Sequence, residues 1–228
     1  MGRFDAINDS VSKTKCIISD LDNTLCKGRV SESIGIGYIK KDLVDGNYAR
    51  AFRGLNGALK IVMMLRKGSE DTKDIEGLKM FYETLIENRI GDAALMERFS
   101  QMHMLRRSIP NVAELICNAK TPKILATQSG STAAQSAKSL FGFTEVLSNL
   151  DIFDGNGRLS GIEIIMANGE SKLELVKSAL DRLNIKIGDC TVIGDSIVDV
   201  PMLMSARVRV ASPLAKKSVL ELPNIIAL

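Results

Sequence analysis

Two carboxylates and a hydroxyl follow directly on the most apolar early segment of the chain. The run from Cys16 to Ser19 suits a buried strand, and it ends at Asp20, with Asp22 and Thr24 just behind it. Two later apolar runs end in the same way, in polar residues that suit metal or phosphate binding. These residues are Thr127 and Gln128 after the second run, and Asp195 and Asp199 after the third. In open α/β sheets, ligands bind beyond the carboxyl ends of the strands, so we expect these side chains to meet at one site.

The chemistry of such a site follows from its charges. Carboxylates brought together repel one another and need a cation, and Mg²⁺ is the natural one because it is hard and prefers oxygen ligands. Two features indicate that a phosphate is also bound. The loop at residues 127–132 opens a predicted helix, whose N-terminus favours an anion. Lys172 lies in the first turn of another helix, where a cation is unfavourable unless something negative lies nearby.

The elements that must position these residues alternate between strands and helices. Four short apolar runs are predicted strands: Lys15–Ser19, Lys123–Ala126, Cys190–Ile193 and Arg207–Ala211. The first three lack clean alternation, so both faces are expected to be buried, as in a parallel sheet covered by helices. Amphipathic helices are predicted at Thr132–Phe141 and Ser171–Leu183. Ser212 as an N-cap and Pro213 after it predict a last helix that ends near Leu220. The pattern is that of an α/β fold with a Rossmann-like parallel sheet.

The stretch between the first and second strands breaks this alternation. From residue 27 to residue 108 the sequence predicts helices and no strand. These helices are Glu32–Val44, Tyr48–Leu65, Asp71–Glu87 and Asp92–Arg107. We therefore predict a core domain at residues 1–26 and 109–228 with an inserted helical cap domain at residues 27–108. A further signal, Asp-Gly-Asn-Gly at residues 154–157, predicts a β-hairpin.

Composition excludes several classes of protein. The net charge is only +3 and the basic residues are interleaved with acids, which argues against nucleic-acid binding. No apolar run approaches the ~18 residues that span a bilayer, and the N-terminal segment lacks the apolar core of a signal peptide. We therefore expect a cytoplasmic protein that binds neither nucleic acid nor membrane. The four cysteines form no Cys-x-x-Cys pair and there is one histidine, so a structural zinc site is not expected.

Four motifs, in order along the chain, resemble those of the haloacid dehalogenase (HAD) superfamily. They are Asp20-Leu-Asp-Asn-Thr, Thr127 after an apolar strand, Lys172, and Gly194-Asp-Ser-Ile-Val-Asp-Val-Pro-Met-Leu. The last motif and the Asp-Gly-Asn-Gly-Arg-Leu-Ser-Gly hairpin look most like the phosphoserine phosphatase branch. In that branch a helical cap lies between the first and second motifs. The resemblance covers the chain from about Lys15 to its C-terminus.

The resemblance implies a Mg²⁺-dependent phosphomonoesterase that hydrolyses a small phosphorylated metabolite. Asp20 would be the nucleophile that forms an aspartyl-phosphate. Asp22 would act as the general acid for the leaving group and then as the general base for water. The predicted phosphate contacts are Thr24, Thr127, Gln128 and Lys172. The predicted Mg²⁺ ligands are Asp20, the main-chain carbonyl of Asp22, and Asp195, with Asp199 supporting the metal from its outer side.

One position departs from the phosphoserine phosphatase pattern. Arg29 stands where those enzymes resemble one another in having a glutamate for the amino group of the substrate, so we expect a substrate other than phosphoserine. Arg29, with Lys27, Arg50 or Arg53, could meet a second anionic group, or these residues could simply be solvated. Two other functions stay open at this point. One is a phosphotransferase or mutase with the same phosphoenzyme, and the other is a non-catalytic phosphate-binding regulatory protein.

Overall fold

The computed structural model describes residues 3–67 and 70–228, so the parts of the predicted domains at residues 1, 2, 68 and 69 lie outside the described residues. Within the described chain, the strands are β1 (Cys16–Ser19), β2 (Lys123–Gly130), β3 (Glu145–Phe153), β4 (Leu159–Glu163), β5 (Cys190–Gly194), β6 (Val208–Ala211) and β7 (Ile225–Ala227). The helices are α1 (Arg3–Ser12), α2 (Val30–Val44), α3 (Tyr48–Lys67), α4 (Glu70–Glu87), α5 (Ala93–Arg107), α6 (Pro110–Asn118), α7 (Ser131–Phe141), α8 (Gly169–Arg182), α9 (Val200–Ser205) and α10 (Lys217–Leu220).

The strands form one sheet in the order β4-β3-β2-β1-β5-β6-β7. β4 runs antiparallel to β3, and every other neighbouring pair in this order is parallel. The first strand of the chain is therefore the centre of the sheet, with β2 on one side and β5 on the other. The predicted α/β class with a mostly parallel sheet is confirmed.

The core lies on both faces of the sheet because consecutive strand residues point in opposite directions. Ile17 of β1 packs in the layer that contains Leu115 of α6 and Ala134 of α7. Ile18, the next residue, packs in the other layer, with Val176 of α8 and Met202 of α9. All four residues of β1 are buried, which explains why its sequence does not alternate. Full burial of such an aliphatic side chain stabilises the fold by about 1.5–3 kcal/mol.

Helices α2 to α5 occupy the stretch between β1 and α6, and we call them the helical insert. The chain leaves the core and returns to it at adjacent points. The N–H of Lys27 donates to the carbonyl of Arg107 at 2.8 Å, and the N–H of Ile109 donates to the carbonyl of Leu25 at 2.8 Å. The four predicted helices of this stretch are present within two residues of their predicted ends. No helix within residues 3–67 or 70–228 combines the length and the apolar content that crossing a bilayer requires.

The predicted hairpin is confirmed, since β3 and β4 pair in antiparallel fashion around the turn that contains Gly157 at φ 72°. The prediction of a helix from Ser212 is wrong, because α10 begins only at Lys217. Ser212 is bound to the sheet edge instead: its N–H donates to the carbonyl of Gly194 at 3.0 Å and its hydroxyl donates to the carbonyl of Asn23 at 2.6 Å. Helices α1, α6 and α9 and strand β7 were not predicted from the sequence.

Candidate active site

The polar residues that follow three neighbouring strands meet at one edge of the sheet. β1 is paired with both β2 and β5, and Ser19 at its end lies opposite Leu125 and Ile193. The N–H of Asp20 extends this pairing by donating to the carbonyl of Ile193 at 3.0 Å. The crevice beyond these strand ends is lined by six of the predicted site residues: Asp20, Asp22, Thr127, Gln128, Lys172 and Asp195.

A buried lysine lies at the base of this crevice. Lys172 is in the first turn of α8, where Asn168 and Ser171 form the capping box that begins the helix. Its Nζ donates to Oδ1 of Asp20 at 2.6 Å and to Oδ1 of Asp199 at 2.7 Å. Burial alone would lower the pKa of Lys172, but the charges of Asp199 and Asp20 outweigh it and raise the pKa. Lys172 is therefore a cation held between two carboxylates.

Asp20, Asp195 and Asp199 form a buried acidic cluster. One carboxylate oxygen of each lies within 4.8 Å of the others, and the residues are only 7%, 4% and 0% exposed. Burial raises the pKa of Asp20, Lys172 lowers it, and the charges of Asp199 and Asp195 raise it further. Burial and then Asp199 raise the pKa of Asp195 to about 7. Because three buried carboxylates share one buried ammonium, this donor set fits a hard divalent cation such as Mg²⁺.

Two buried residues orient Asp195 from behind. Thr24 is fully buried, and its hydroxyl donates to Oδ1 of Asp195 at 3.0 Å. Asp199 accepts the N–H of Asp195 on Oδ2 at 3.0 Å and the N–H of Ser196 on the same oxygen at 3.2 Å. Asp199 thus belongs to the cluster and also holds the main chain of Asp195 in place. Thr24 is placed to hold a carboxylate rather than to contact a phosphate.

Asp22 lies beside the acidic cluster, but its carboxylate bonds to residues outside that cluster. Its Oδ1 accepts the N–H of Val30 at the start of α2 at 2.9 Å, and its Oδ2 accepts the hydroxyl of Ser129 at 2.7 Å. Burial raises the pKa of this carboxyl, while Ser129, Val30 and the charge of Arg29 lower it. A carboxyl with a raised pKa that also touches the helical insert is suited to proton transfer at the substrate.

The second strand supplies the floor of the crevice. Thr127 is 1% exposed, and its hydroxyl accepts the N–H of Ser129 at 3.1 Å. The amide of Gln128 donates to the carbonyls of Met166 at 3.3 Å and Ala167 at 3.1 Å. The Gln128 side chain therefore supports the loop before α8, whereas Thr127 remains beside Asp20 on the floor.

The helical insert closes the crevice from above. It contributes an apolar wall from Ile61, Leu78 and Phe81 and the charged side chain of Glu32, while Arg29, the N-cap residue of α2, adds a second charged group. The crevice has a volume of about 110 Å³. The other basic residues considered from the sequence lie elsewhere, since they do not line the crevice: Arg50 bonds to Asp42, Arg53 bonds to Asn88, and Lys27 is exposed.

Several residues that line the site were missing from the predicted set, and Ser129 and Lys216 are two of them. Ser129 lies in the loop at residues 127–132 that the sequence singled out, but its contact with Asp22 joins positions 107 residues apart and has no local signal. Lys216 lines the crevice from the loop before α10, and its N–H donates to the carbonyl of Asp195 at 2.8 Å. It belongs to an ordinary Lys-Lys pair, so the sequence alone does not distinguish it from a solvated lysine.

Known proteins show the same architecture. A substrate-bound phosphoserine phosphatase complex matches with a TM-score of 0.65 at 17% identity, over 95% of this chain and 93% of that chain. A phospho-aspartyl intermediate analogue of phosphoserine phosphatase matches with a TM-score of 0.64 at 19% identity, over 95% and 93%. A HAD family hydrolase from Salmonella enterica subsp. enterica serovar Typhi matches with a TM-score of 0.59 at 17% identity, over 95% and 68%. At these identities the likeness is one of fold.

Sequence comparison supplies the family. A search of curated protein sequences finds no significant match. The profile of the family described as haloacid dehalogenase-like hydrolase, however, matches residues 17–204, which include all four motifs and the helical insert. The chain therefore belongs to the haloacid dehalogenase-like hydrolase family.

Proposed function

We propose that this protein is a cytoplasmic, Mg²⁺-dependent phosphomonoesterase that hydrolyses a small phosphorylated metabolite through an aspartyl-phosphate. One observation carries the proposal: the Lys172 ammonium bridges Asp20 and Asp199 inside a cluster that also contains Asp195. One buried crevice then holds all three parts that the reaction needs. These are a nucleophilic carboxylate, a cation for the phosphoryl oxygens and a pair of acids for the metal. The phospho-aspartyl analogue among the structures of the same fold is in keeping with this chemistry.

In the first step, Asp20 attacks the phosphorus of the ester. Lys172 already engages Oδ1 of Asp20, so Oδ2 is the attacking atom. A bond forms between this oxygen and phosphorus while the bond from phosphorus to the ester oxygen breaks. Lys172 keeps its contact with the carboxylate and neutralises phosphoryl charge, as phosphoryl transfer requires.

Asp22 moves the protons in both steps. With its pKa raised by burial, it can carry the proton that the leaving oxygen takes as the first bond breaks. The resulting carboxylate then accepts a proton from water, and the water oxygen attacks phosphorus, releasing inorganic phosphate and free Asp20. The hydrogen bonds from Ser129 and Val30 hold Asp22 at the boundary between core and insert throughout.

The acidic cluster would hold the metal. Asp20, Asp195 and the main chain of Asp22 are the proposed ligands, and Asp199 supports them from behind. A bound Mg²⁺ would offset the negative charge of the phosphoryl group and of the carboxylates that face it. The pKa values of Asp20 and Asp195 are raised first by burial and then by neighbouring carboxylates, and a bound cation would offset that negative charge.

The residues that line the walls of the crevice are placed to contact the substrate. The crevice volume of about 110 Å³ suits a small leaving group, and Ile61, Leu78 and Phe81 offer that group an apolar surface. Arg29 and Lys216 add positive charge and Glu32 adds negative charge around this surface. We propose that these residues, rather than the phosphate contacts, select the metabolite.

The test is hydrolysis of a generic aryl phosphate and of a panel of small phosphorylated metabolites, with Mg²⁺ and with EDTA. We expect activity that needs the metal and falls at least about a thousandfold in Asp20→Asn, since the nucleophile is lost. Asp181→Asn is the matched control, because Asp181 is an exposed residue on α8 and its loss should leave activity unchanged.

The same assay separates the other two functions. Transfer of the phosphoryl group to an added alcohol, without release of inorganic phosphate, would establish a phosphotransferase instead. A folded protein that binds Mg²⁺ and phosphate but turns over no substrate in the panel would sink the catalytic proposal and leave a binding protein.

A further inference from the structure

A second depression lies on the outer face of the helical insert, between α2 and α5. It is an open groove of about 650 Å³. Its rim is basic and its floor is partly apolar, with Ile36, Phe99 and Met102 among the lining residues. The groove shares no lining residue with the crevice at the strand ends. It therefore has no part in the proposed hydrolysis.

The charges around this groove are unbalanced. Five basic residues line it, namely Lys40, Lys41, Arg98, Arg106 and Arg107, against the single acid Asp45. Asp45 is already paired with Lys41. For the other four cations, no carboxylate lies within ion-pair distance in the part of the chain that the structure describes. Such a concentration of one sign attracts an anionic ligand.

One polar atom in the groove also lacks a partner. His103 is 4% exposed and lines the groove, and its Nδ1 lies 2.6 Å from the hydroxyl of Ser33. Its Nε2 is buried and makes no hydrogen bond to any residue that the structure describes. A buried polar atom of this kind is costly unless something binds to it.

The protonation state of His103 favours a donor at Nε2. Burial and then the charge of Arg107 lower the pKa of His103 to about 4, with the Gly28 main chain acting in the opposite direction. The ring is therefore neutral at pH 7. When the Ser33 hydroxyl donates to Nδ1, the single ring proton lies on Nε2. His103 then presents an N–H beside the guanidinium of Arg107.

Gly28 lies near both side chains. A Cβ at Gly28 would lie 3.7 Å from Nη1 of Arg107 and 4.0 Å from Cε1 of His103. Gly28 directly follows Lys27, whose N–H donates to the carbonyl of Arg107. Arg107 and His103 therefore lie near the place where the chain passes between core and insert.

We propose that this groove binds a phosphorylated small molecule with an apolar body. The phosphate accepts hydrogen bonds from Nε2–H of His103 and from Arg107, and the apolar body lies against Ile36 and Phe99. Lys40, Arg98 and Arg106 add long-range attraction. The proposal does not depend on the catalytic assignment, because none of these residues belongs to the strand-end crevice.

The probe for the test is phenylphosphonate, which combines a dianion with an apolar ring and whose C–P bond a phosphomonoesterase does not cleave. The full chain is titrated in EDTA, so that Mg²⁺-dependent binding at the crevice is absent. His103 is the only histidine, so its imidazole ¹H–¹⁵N signals report this groove without ambiguity. We expect a saturable shift of these signals.

The variants are Arg107→Met and Arg207→Met, which remove the same side chain from two exposed positions. Arg207 lies before β6 on the core and does not line the groove. We expect Arg107→Met to lower the affinity for phenylphosphonate at least tenfold, because a charged hydrogen bond is lost. Arg207→Met should bind phenylphosphonate with the affinity of the wild type. Equal affinities in the two variants, or wild-type signals that do not move, would overturn the proposal.

Two further arms identify the source of the phosphate. Inorganic phosphate should bind more weakly than phenylphosphonate, because it leaves the apolar floor uncovered. Vesicles of phosphatidylcholine with and without phosphatidylglycerol test a lipid headgroup by co-sedimentation. Vesicle binding that requires phosphatidylglycerol and is lost in Arg107→Met would assign the same contacts to a membrane lipid, whereas its absence together with phenylphosphonate binding assigns them to a free metabolite.

Discussion

At the scale of single residues, Lys172 is the group on which the site depends most. It is 1% exposed and bonds to two carboxylates that come from different strand ends. A buried charge is tolerated only where it is paired and hydrogen-bonded. Lys172 therefore stabilises the acidic cluster in addition to its proposed role at the phosphate.

Replacing this lysine tests the structural role. Lys172→Met keeps the length of the side chain and leaves Asp20 and Asp199 buried without their cation. We expect a loss of about 3–5 kcal/mol in the free energy of unfolding in EDTA, measured by urea denaturation. Lys177→Met is the control, since Lys177 is an exposed lysine of the same helix and its loss should have little effect. Equal losses in the two variants would contradict the assigned role.

The residues of the site were predictable to the extent that they follow local signals. Asp20 and Asp195 each come directly after an apolar run, so their convergence followed from parallel pairing alone. The orientation of Thr24 toward Asp195 could not be predicted in this way, because the two residues lie 171 positions apart. The same limit explains Ser129 and Lys216, whose partners are set by tertiary packing.

At the scale of secondary structure elements, predictability depended on how much of each element is encoded locally. Each helix of the insert is fifteen or more residues long, so its extent could be predicted from the sequence. β7 has only three residues, and its place at the sheet edge comes from pairing with β6. The Ser-Pro signal at Ser212 produces only a turn: the Ser212 hydroxyl accepts the N–H of Leu214 at 3.1 Å, but the next helix begins only at Lys217.

The turn after β5 is the element on which the acidic cluster is built. A Cβ at Gly194 would lie 2.6 Å from Cβ of Asp199, closer than packed carbon atoms allow. We expect Gly194→Ala to displace Asp199, to lower the free energy of unfolding by about 1–3 kcal/mol, and to reduce hydrolysis. At Gly188 a Cβ would meet nothing within 4 Å, so Gly188→Ala is the matched control. Chemical denaturation of both variants measures the difference, and equal stabilities would refute the steric argument.

At the scale of the whole molecule, the site joins parts of the chain that are far apart in sequence. Asp20 and Lys172 are separated by 152 positions, and Thr24 and Asp195 by 171. A ligand held by these groups binds only the folded protein, so it stabilises the entire fold by mass action. Mg²⁺ should therefore raise the melting temperature.

The stabilisation by Mg²⁺ should depend on pH. The pKa of Asp195 is raised to about 7, so below that pH the folded protein holds a proton that competes with the metal. We expect the rise in melting temperature on adding Mg²⁺ to be larger at pH 8 than at pH 6, as measured by differential scanning calorimetry. Asp195→Asn should remove the rise and Asp181→Asn should retain it. A rise that is larger at pH 6 would show that this carboxyl does not bind the metal.

The central position of β1 has a consequence for how the protein folds during its synthesis. Its neighbours in the sheet, β2 and β5, begin only at Lys123 and Cys190. On the ribosome, a nascent chain that ends before these residues carries β1 as an unpaired apolar strand, while α2 to α5 can already fold through nearer contacts. Parallel pairing over such separations is slow and leaves apolar edges exposed. Arrested chains that stop short of β2 should therefore be the ones that chaperones hold, and release should follow once β5 has been synthesised.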